Sequence, residues 1–260
     1  MKLFTTCYAI SHTPDEAAIA AKYDLLIVNQ NTAPVATAWL DSVKGLKPGI
    51  KILAYQIVAE EPGSAPGPGN AALMNATRWS NVGQDPWLIT ATGDIAAIQS
   101  GWRNRRMFDY RKQVWKDSFR EACAAILSAY PFDGLFFDNC TASWAKHQPA
   151  NPSAANALQD VLLDIRRAYP SKWLIGNCVE SWMGLNGEMN EGRIGQSAEL
   201  APTVGQVVPN LNCYYLPATP TTTDADIQAA YTAVKPYGAW FGVHTAVLSW
   251  PAILDTLEAS

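Results

Sequence analysis

Short apolar runs rich in β-branched and aromatic residues recur along the chain, separated by segments in which apolar residues return every three or four positions. The runs are continuous rather than alternating, as in Leu25–Val28 and Leu135–Phe137, which is typical of strands buried on both faces of a parallel sheet. Seven strands are predicted on this basis, at Leu3–Ile10, Tyr23–Gln30, Lys51–Val58, Phe132–Asn139, Trp173–Glu180, Asn210–Leu216 and Ala239–Thr245.

Amphipathic segments between the runs predict helices. The segment Thr13–Glu16 supplies an N-cap, a first-turn proline and a capping-box acid, which together indicate a helix start. Further along, apolar residues recur at helical spacing over two long segments that each stop at a proline. The remaining helices are predicted at Arg111–Tyr130, Ser153–Tyr169, Asp224–Val234 and Pro251–Leu257.

The alternation of strands and helices favours a single-domain (β/α)8 TIM barrel over residues 1–260. An open doubly wound sheet usually carries a glycine-rich first turn, which this chain lacks. The eighth strand is predicted at Gly187–Arg193, in a gap with no other sheet element. A long segment rich in Gly and Pro, Glu60–Pro86, follows the third strand. Such loops border the catalytic face of this fold, so we interpret it as a lid or substrate wall, the alternative being a loop outside the site.

Composition and charge narrow the classes of function. The chain has 48% hydrophobic and 16% charged residues and a net charge of −4 without a basic block. A nucleic-acid partner or a polybasic membrane surface is therefore disfavoured. No apolar run reaches the roughly 18 residues of a membrane span, and the first residues do not resemble a signal peptide. We expect a protein that is cytoplasmic or is released by lysis or processing.

Two carboxylates lie where a barrel carries its chemistry, at the carboxyl ends of strands. Asp138 closes an apolar run, whereas Asp133 begins the same strand and is expected to cap or turn it. In the segment Gly187–Arg193, Glu188 and Glu191 point to opposite faces of a strand, and Glu191 lies nearer its carboxyl end. Two carboxylates that face one pocket can cleave a glycosidic bond: one protonates the leaving oxygen, and the other attacks the sugar or activates water. The sequence leaves retention or inversion open.

Other strand ends carry side chains that could hydrogen-bond hydroxyls or stack on sugar rings, with packing as the alternative for each. These are Tyr55, Gln56, Asn177, Glu180, Tyr214, Tyr215, Trp240 and His244. Asp109, just before the Arg111–Tyr130 helix, is either a substrate-binding carboxylate or an N-cap. The chain contains no HExxH, GxSxG or P-loop signature, so neither a metal nor another cofactor is predicted.

One group of segments resembles a known family. FDGLFFDN (132–139), preceded by RRMFDYRKQVW (105–115) and followed by GNC (176–178) and GEMNEGR (187–193), is similar to the glycoside-hydrolase TIM barrels related to the family 114 endo-α-1,4-polygalactosaminidases. The resemblance implies a catalytic Asp after the fourth strand and a catalytic Glu near the sixth, here Asp138 and Glu191. Family 18 chitinases have a similar fourth strand, but Cys140 stands where their catalytic Glu lies, so their chemistry is not implied.

These observations predict a glycoside hydrolase that cleaves an oligo- or polysaccharide, with Asp138 as nucleophile or base and Glu191 as acid. The predicted partner is a carbohydrate substrate, without nucleic acid, membrane or cofactor. Two alternatives stay open: a non-catalytic carbohydrate-binding barrel, and a phage-type lytic enzyme that acts on cell-wall glycan. A metal-dependent barrel hydrolase is the least favoured.

Overall fold

The seven predicted apolar runs and the segment Gly187–Glu191 form eight parallel strands, and their hydrogen-bonded neighbours close into a barrel. They are β1 (Leu3–Cys7), β2 (Leu25–Asn29), β3 (Lys51–Ile57), β4 (Gly134–Asp138), β5 (Trp173–Asn177), β6 (Gly187–Glu191), β7 (Cys213–Pro217) and β8 (Trp240–His244). Consecutive strands are neighbours, and β8 pairs with β1. The predicted (β/α)8 TIM barrel is confirmed, including the eighth strand expected in Gly187–Arg193.

The structure is a computed structural model. It describes residues 2–7, 12–29, 32–58, 60–61, 89, 97–98, 105–140, 152–177, 184–191, 211–244 and 248–258.

Helices follow most strands and surround the barrel. They are α1 (Pro14–Ala20), α2 (Thr32–Leu46), α3 (Gln113–Ala129), α4 (Pro152–Ala168), α5 (Asp224–Val234) and α6 (Ile253–Glu258). The capping box predicted at Thr13 is present, because its backbone N–H donates to Glu16 at 2.8 Å. Helix α2 was not predicted from the sequence: Pro34 lies in its first turn and Ala36 has non-helical dihedrals, so the helical period is interrupted near its start. None of the described helices is long and apolar enough to cross a membrane.

The strands separate two apolar layers, because successive side chains point alternately into the barrel and out toward the helices. The inner layer includes Phe4, Leu25, Ile27, Leu53, Phe136, Ile175, Met189, Cys213 and Tyr215. The outer layer packs residues such as Leu26, Ala54, Leu135 and Leu174 against the helices. This alternation decides which polar residue at each strand end faces the barrel axis.

A small antiparallel sheet lies outside the barrel, between β3 and α3 in the chain. Its strands are Glu60–Glu61, Ala97–Ile98 and Arg105–Met107, with the last in the centre. The sequence did not predict this sheet, since strands of two or three residues carry no readable period. Of the long Glu60–Pro86 loop, only residues 60 and 61 are among the described residues, so its interpretation as a lid stays a prediction.

At the amino end of the barrel, the side chain of Asp133 links the start of β4 to β3 and α2. Its carboxylate accepts hydrogen bonds from the Ile52 backbone N–H at 3.0 Å, from Lys51 at 3.0 Å and from Lys44 at 3.2 Å. Burial would raise the pKa of Asp133, but these donors outweigh it and hold the pKa below the ordinary aspartate value. Asp133 therefore has the structural role expected of the residue that begins this strand.

Candidate active site

At the carboxyl end of the barrel, polar residues replace the apolar side chains that fill the interior. Because side chains alternate, the inward-facing Phe136, Ile175 and Met189 are each followed two positions later by another inward-facing residue. These residues are Asp138, Asn177 and Glu191, at the ends of the consecutive strands β4, β5 and β6. The two predicted carboxylates thus share one end of the barrel, with an asparagine between them.

Asp138 is surrounded by hydrogen-bond donors. The Tyr55 hydroxyl donates to its Oδ2, while the Asn139 backbone N–H and the Asn177 side chain both donate to Oδ1 at 2.9 Å. Asn139 has a positive φ of 49°, a conformation that asparagine tolerates better than most residues. All three groups donate to a carboxylate oxygen, so they orient Asp138 as an anionic acceptor.

Asn177 links Asp138 to Glu191. Its Nδ2 donates to Asp138 Oδ1 at 2.9 Å and to Glu191 Oε1 at 3.1 Å. The two distances together limit the separation of these oxygens to about 6.0 Å. The two carboxylates therefore lie close together at the carboxyl end of the barrel.

Tyr215 and Thr6 join the site from neighbouring strands. Tyr215 is paired in register with Glu191, and its hydroxyl hydrogen-bonds the Thr6 hydroxyl across the barrel interior. Asn29, which closes β2, is also inward-facing, since Leu25 and Ile27 face the interior. The sequence analysis did not predict Thr6 and Asn29 as site residues. Both are polar residues near the end of a β-branched or apolar run, which is the same signal that indicated Asp138.

Three other positions predicted to bind substrate do not face the barrel interior at its carboxyl end. Tyr214 faces the outer layer, stacked on Phe241, because its neighbour Tyr215 occupies the inward position. Gln56 also lies on the outer face, fully buried, where it donates to the Ile57 carbonyl at 2.7 Å. Trp240 faces inward but begins β8, so it lies at the amino end of the barrel.

The position of Trp240 is fixed by two contacts at that end. It packs edge-on against Trp173, the first residue of β5, with ring centroids 5.9 Å apart. The Lys2 ammonium lies 5.0 Å from its ring centroid. Trp240 is the second residue of the predicted run Ala239–Thr245, and this place near the start of the run was the signal against a role at the carboxyl end.

Asp109 lies just after the small antiparallel sheet and is ion-paired with Arg111. The guanidinium contacts both carboxylate oxygens, at 2.7 and 2.8 Å, and the Arg111 backbone N–H donates at 3.1 Å. Burial would raise the pKa of Asp109, but the contacts with Arg111 outweigh it and lower the pKa. Asp109 is not the N-cap of α3, which is Lys112. Substrate binding by Asp109 stays a prediction.

Two predicted positions fall outside the described part of the structure: the side chain of His244, whose backbone closes β8, and all of Glu180. Glu188 lies on the outer face of β6, opposite Met189, and is buried with 8% exposure. Among the described residues, no group of three or more His, Cys, Asp or Glu side chains is arranged to hold a metal ion.

Comparisons with known proteins agree with this architecture. No protein-family model matches the chain, and a search of curated proteins finds no match. Among solved structures, the glycoside hydrolase domain of PelA from Pseudomonas aeruginosa is 16% identical, with a TM-score of 0.63 over 95% of this chain and 96% of that one. The α-galactosidase TtGalA from Thermus thermophilus, in complex with stachyose, is 8% identical, with a TM-score of 0.65 over 99% of this chain and 64% of that one.

A third similar structure is α-L-fucosidase isoenzyme 2 from Paenibacillus thiaminolyticus, at 11% identity and a TM-score of 0.61, covering 99% of this chain and 48% of that one. At such low identity, these likenesses establish the fold and not the activity. The chain thus has the TIM-barrel fold found in glycoside hydrolase domains.

Proposed function

We propose that this protein is a glycoside hydrolase whose catalytic carboxylates are Asp138 and Glu191. The observation that carries the proposal is the pair of hydrogen bonds from Asn177 to both residues at the carboxyl end of the barrel. That end holds the active site in TIM-barrel enzymes. The resemblance of residues 105–193 to polygalactosaminidase-related barrels and the fold shared with the PelA hydrolase domain support the same assignment.

The surroundings of the two carboxylates suit different roles. Asp138 accepts hydrogen bonds from Tyr55, Asn139 and Asn177, which stabilise an anion and fit a nucleophile. Glu191 is the exposed end of an otherwise buried strand, so a leaving group and water can reach it. Glu191 accordingly serves as the acid.

The reaction then proceeds in two steps. Asp138 attacks the anomeric carbon and forms a covalent glycosyl ester, while Glu191 donates its proton to the departing glycosidic oxygen. Glu191, now a carboxylate, removes a proton from water, which attacks the anomeric carbon and breaks its bond to the Asp138 oxygen, so that the sugar leaves and Asp138 is a carboxylate again.

The separation of the carboxylates supports retention of anomeric configuration. Retaining glycosidases hold their carboxyl groups about 5–5.5 Å apart, whereas inverting enzymes use about 6.5–9.5 Å to admit a water molecule. The Asn177 bridge keeps Asp138 Oδ1 and Glu191 Oε1 at most about 6.0 Å apart, which is below the inverting range. The products of an α-linked substrate are therefore expected to be α-anomers before mutarotation.

The charges at the site also bear on the substrate. The described inward-facing residues at this end include two carboxylates and no Lys or Arg. A sugar that is neutral or carries an amine fits this charge better than a uronic acid. Polymers of galactosamine, which the sequence resemblance implies, satisfy that condition.

A glycan screen tests the proposal. The protein is incubated with an α-1,4-linked galactosamine polymer, its N-acetylated form, stachyose and purified peptidoglycan, and proton NMR follows new reducing ends and their anomers. We expect cleavage of at least one α-linked substrate with α-product first, and loss of cleavage in Asp138→Asn. Binding without turnover, unchanged in Asp138→Asn, would identify a carbohydrate-binding barrel. Clearing of peptidoglycan alone would identify a lytic enzyme, and β-product first would refute the retaining mechanism.

A further inference from the structure

A single nitrogen of Asn177 contacts both carboxylates of the proposed active site. We propose that Asn177 is a positioning residue that fixes the separation of Asp138 and Glu191 and directs the acidic proton of Glu191 to Oε2. The catalytic meaning of this inference rests on the proposed function, but the arrangement itself is testable without a substrate. It replaces the sequence-based prediction that Asn177 binds sugar.

Strand geometry explains why such a residue is needed. Neighbouring strands lie about 4.8 Å apart, so the backbones of β4 and β6, which flank β5, are separated by about 10 Å. Their carboxylates come closer only by leaning toward each other, which brings like charges together. A donor at the end of β5 is the shortest link between them, and it offsets that repulsion with one N–H bond to each.

Asn177 is held firmly enough to set this distance. Its side chain is buried, at 5% exposure of the residue. Its carbonyl accepts a hydrogen bond from the Cys140 backbone N–H at 2.9 Å, and it is paired in register with Met189 of β6. A buried amide on a backbone fixed from both sides loses little further entropy when it orders two carboxylates.

The bridge also determines which oxygen of Glu191 carries the proton. The Asn177 amide nitrogen only donates, so Glu191 Oε1 accepts from it. A proton on Oε1 would make that oxygen a weaker acceptor for the Asn177 N–H, whereas a proton on Oε2 leaves Oε1 as a carbonyl oxygen, the stronger acceptor. The acidic proton therefore belongs on Oε2, the oxygen from which the leaving group would take it.

Alternative roles for Asn177 predict different results. A direct sugar contact would affect KM, and a purely structural role would affect stability alone.

Carbon-13 NMR of the side-chain carboxyl groups at neutral pH tests the arrangement in the protein without ligand. In Asn177→Ala, the chemical shifts of both the Asp138 and the Glu191 carboxyl carbons should change, because each carboxylate loses a donor. In the wild type, both Asn177 side-chain N–H protons should stay hydrogen-bonded as the solution is acidified. Unchanged carboxyl shifts, or a change at only one carboxyl group, would overturn the bridge, and loss of the N–H bond to Glu191 on acidification would place the proton on Oε1.

Asn186→Ala is the matched control. Asn186 is also buried beside β5, but its Oδ1 accepts from the Leu174 backbone N–H at 2.7 Å and from Arg166 at 2.6 Å, so it supports the chain rather than the carboxylates. This variant should melt at a lower temperature, with the chemical shifts of both carboxyl carbons unchanged from the wild type. If Asn177→Ala does not fold, Asn177→Ser replaces it with the same expected direction of change.

Kinetics on the α-1,4-linked galactosamine polymer separate positioning from binding. Asn177→Ala should lower kcat by about 10- to 100-fold with KM within about twofold, since misplacement by an ångström costs a factor of this size. A tenfold rise in KM with unchanged kcat would instead assign a sugar contact. If the wild type cleaves nothing in the screen, the proposed function fails, while the carboxyl NMR shifts still decide whether Asn177 joins the two carboxylates.

Discussion

Asp133 and Asp138 stand at opposite ends of one strand, and replacing each by asparagine separates stability from chemistry. Both substitutions remove one charge and keep the size and shape of the side chain. Asp133 lies at the amino end of the barrel with Lys44, Lys51 and the Ile52 N–H. Asp138 lies at the carboxyl end, where the proposed chemistry takes place. Asp133→Asn should therefore lower stability and keep the rate, whereas Asp138→Asn should lower the rate and keep most of the stability.

For Asp138→Asn, the hydrogen bonds can be conserved. The new amide oxygen replaces Oδ1 and accepts from Asn139 and Asn177, while the new amide nitrogen faces the Tyr55 hydroxyl, which can rotate to accept. We expect the free energy of unfolding to fall by less than about 1.5 kcal/mol. Turnover should fall by at least about 10²-fold, because an amide is not a nucleophile.

For Asp133→Asn, one oxygen keeps the Ile52 N–H, but the amide nitrogen then faces a lysine ammonium. Loss of the charge-assisted bonds should lower the free energy of unfolding by about 1–2 kcal/mol. This figure already allows for screening by solvent, because the Lys44 and Lys51 side chains are 28% and 39% exposed. This corresponds to a melting temperature lower by roughly 2–8 °C. The rate per folded molecule should be unchanged.

The stability difference should also depend on pH. The folded-state pKa of Asp133 lies below the ordinary value of 3.8, so its stabilising effect is present above that value and disappears as the pH falls through the folded-state pKa. Urea unfolding of both variants at neutral pH and near pH 3, beside single-turnover rates, measures these quantities. A wild-type rate in Asp138→Asn, or equal rate losses in both variants, would refute the reasoning.

Two further variants test the acid and the barrel. Glu191→Gln should slow cleavage of a natural polymer by at least about 10²-fold but spare aryl glycosides with good leaving groups, which need no acid; equal losses on both would refute the acid role. Gly134→Ala should destabilise the fold by more than about 3 kcal/mol, because its Cβ would lie 1.8 Å from the Trp173 carbonyl oxygen. The exposed Gly45→Ala in α2, with no atom within 4 Å of the new Cβ, is the control and should be neutral or stabilising in thermal unfolding.

Much of the site could be predicted from the sequence because its signals are local. Asp138 ends an apolar strand and Glu191 ends a short glycine-bracketed one, and their position along the strand places them at the carboxyl end of the barrel. The same logic went wrong at Tyr214, since adjacent residues of a strand face opposite sides and the run alone did not say which of two tyrosines points inward. It also misplaced Trp240, whose position at the start of its strand was given too little weight.

By itself, the sequence determined the eight strands, most of the helices and the end of the barrel at which polar residues collect, because strand and helix periods are set by neighbours a few residues apart. Only the tertiary structure decided that Asn177 joins Asp138 to Glu191, and at what distance. Those residues are separated by 39 and 14 positions in the chain. Contacts of this kind depend on barrel closure and on strand register, which no local pattern encodes.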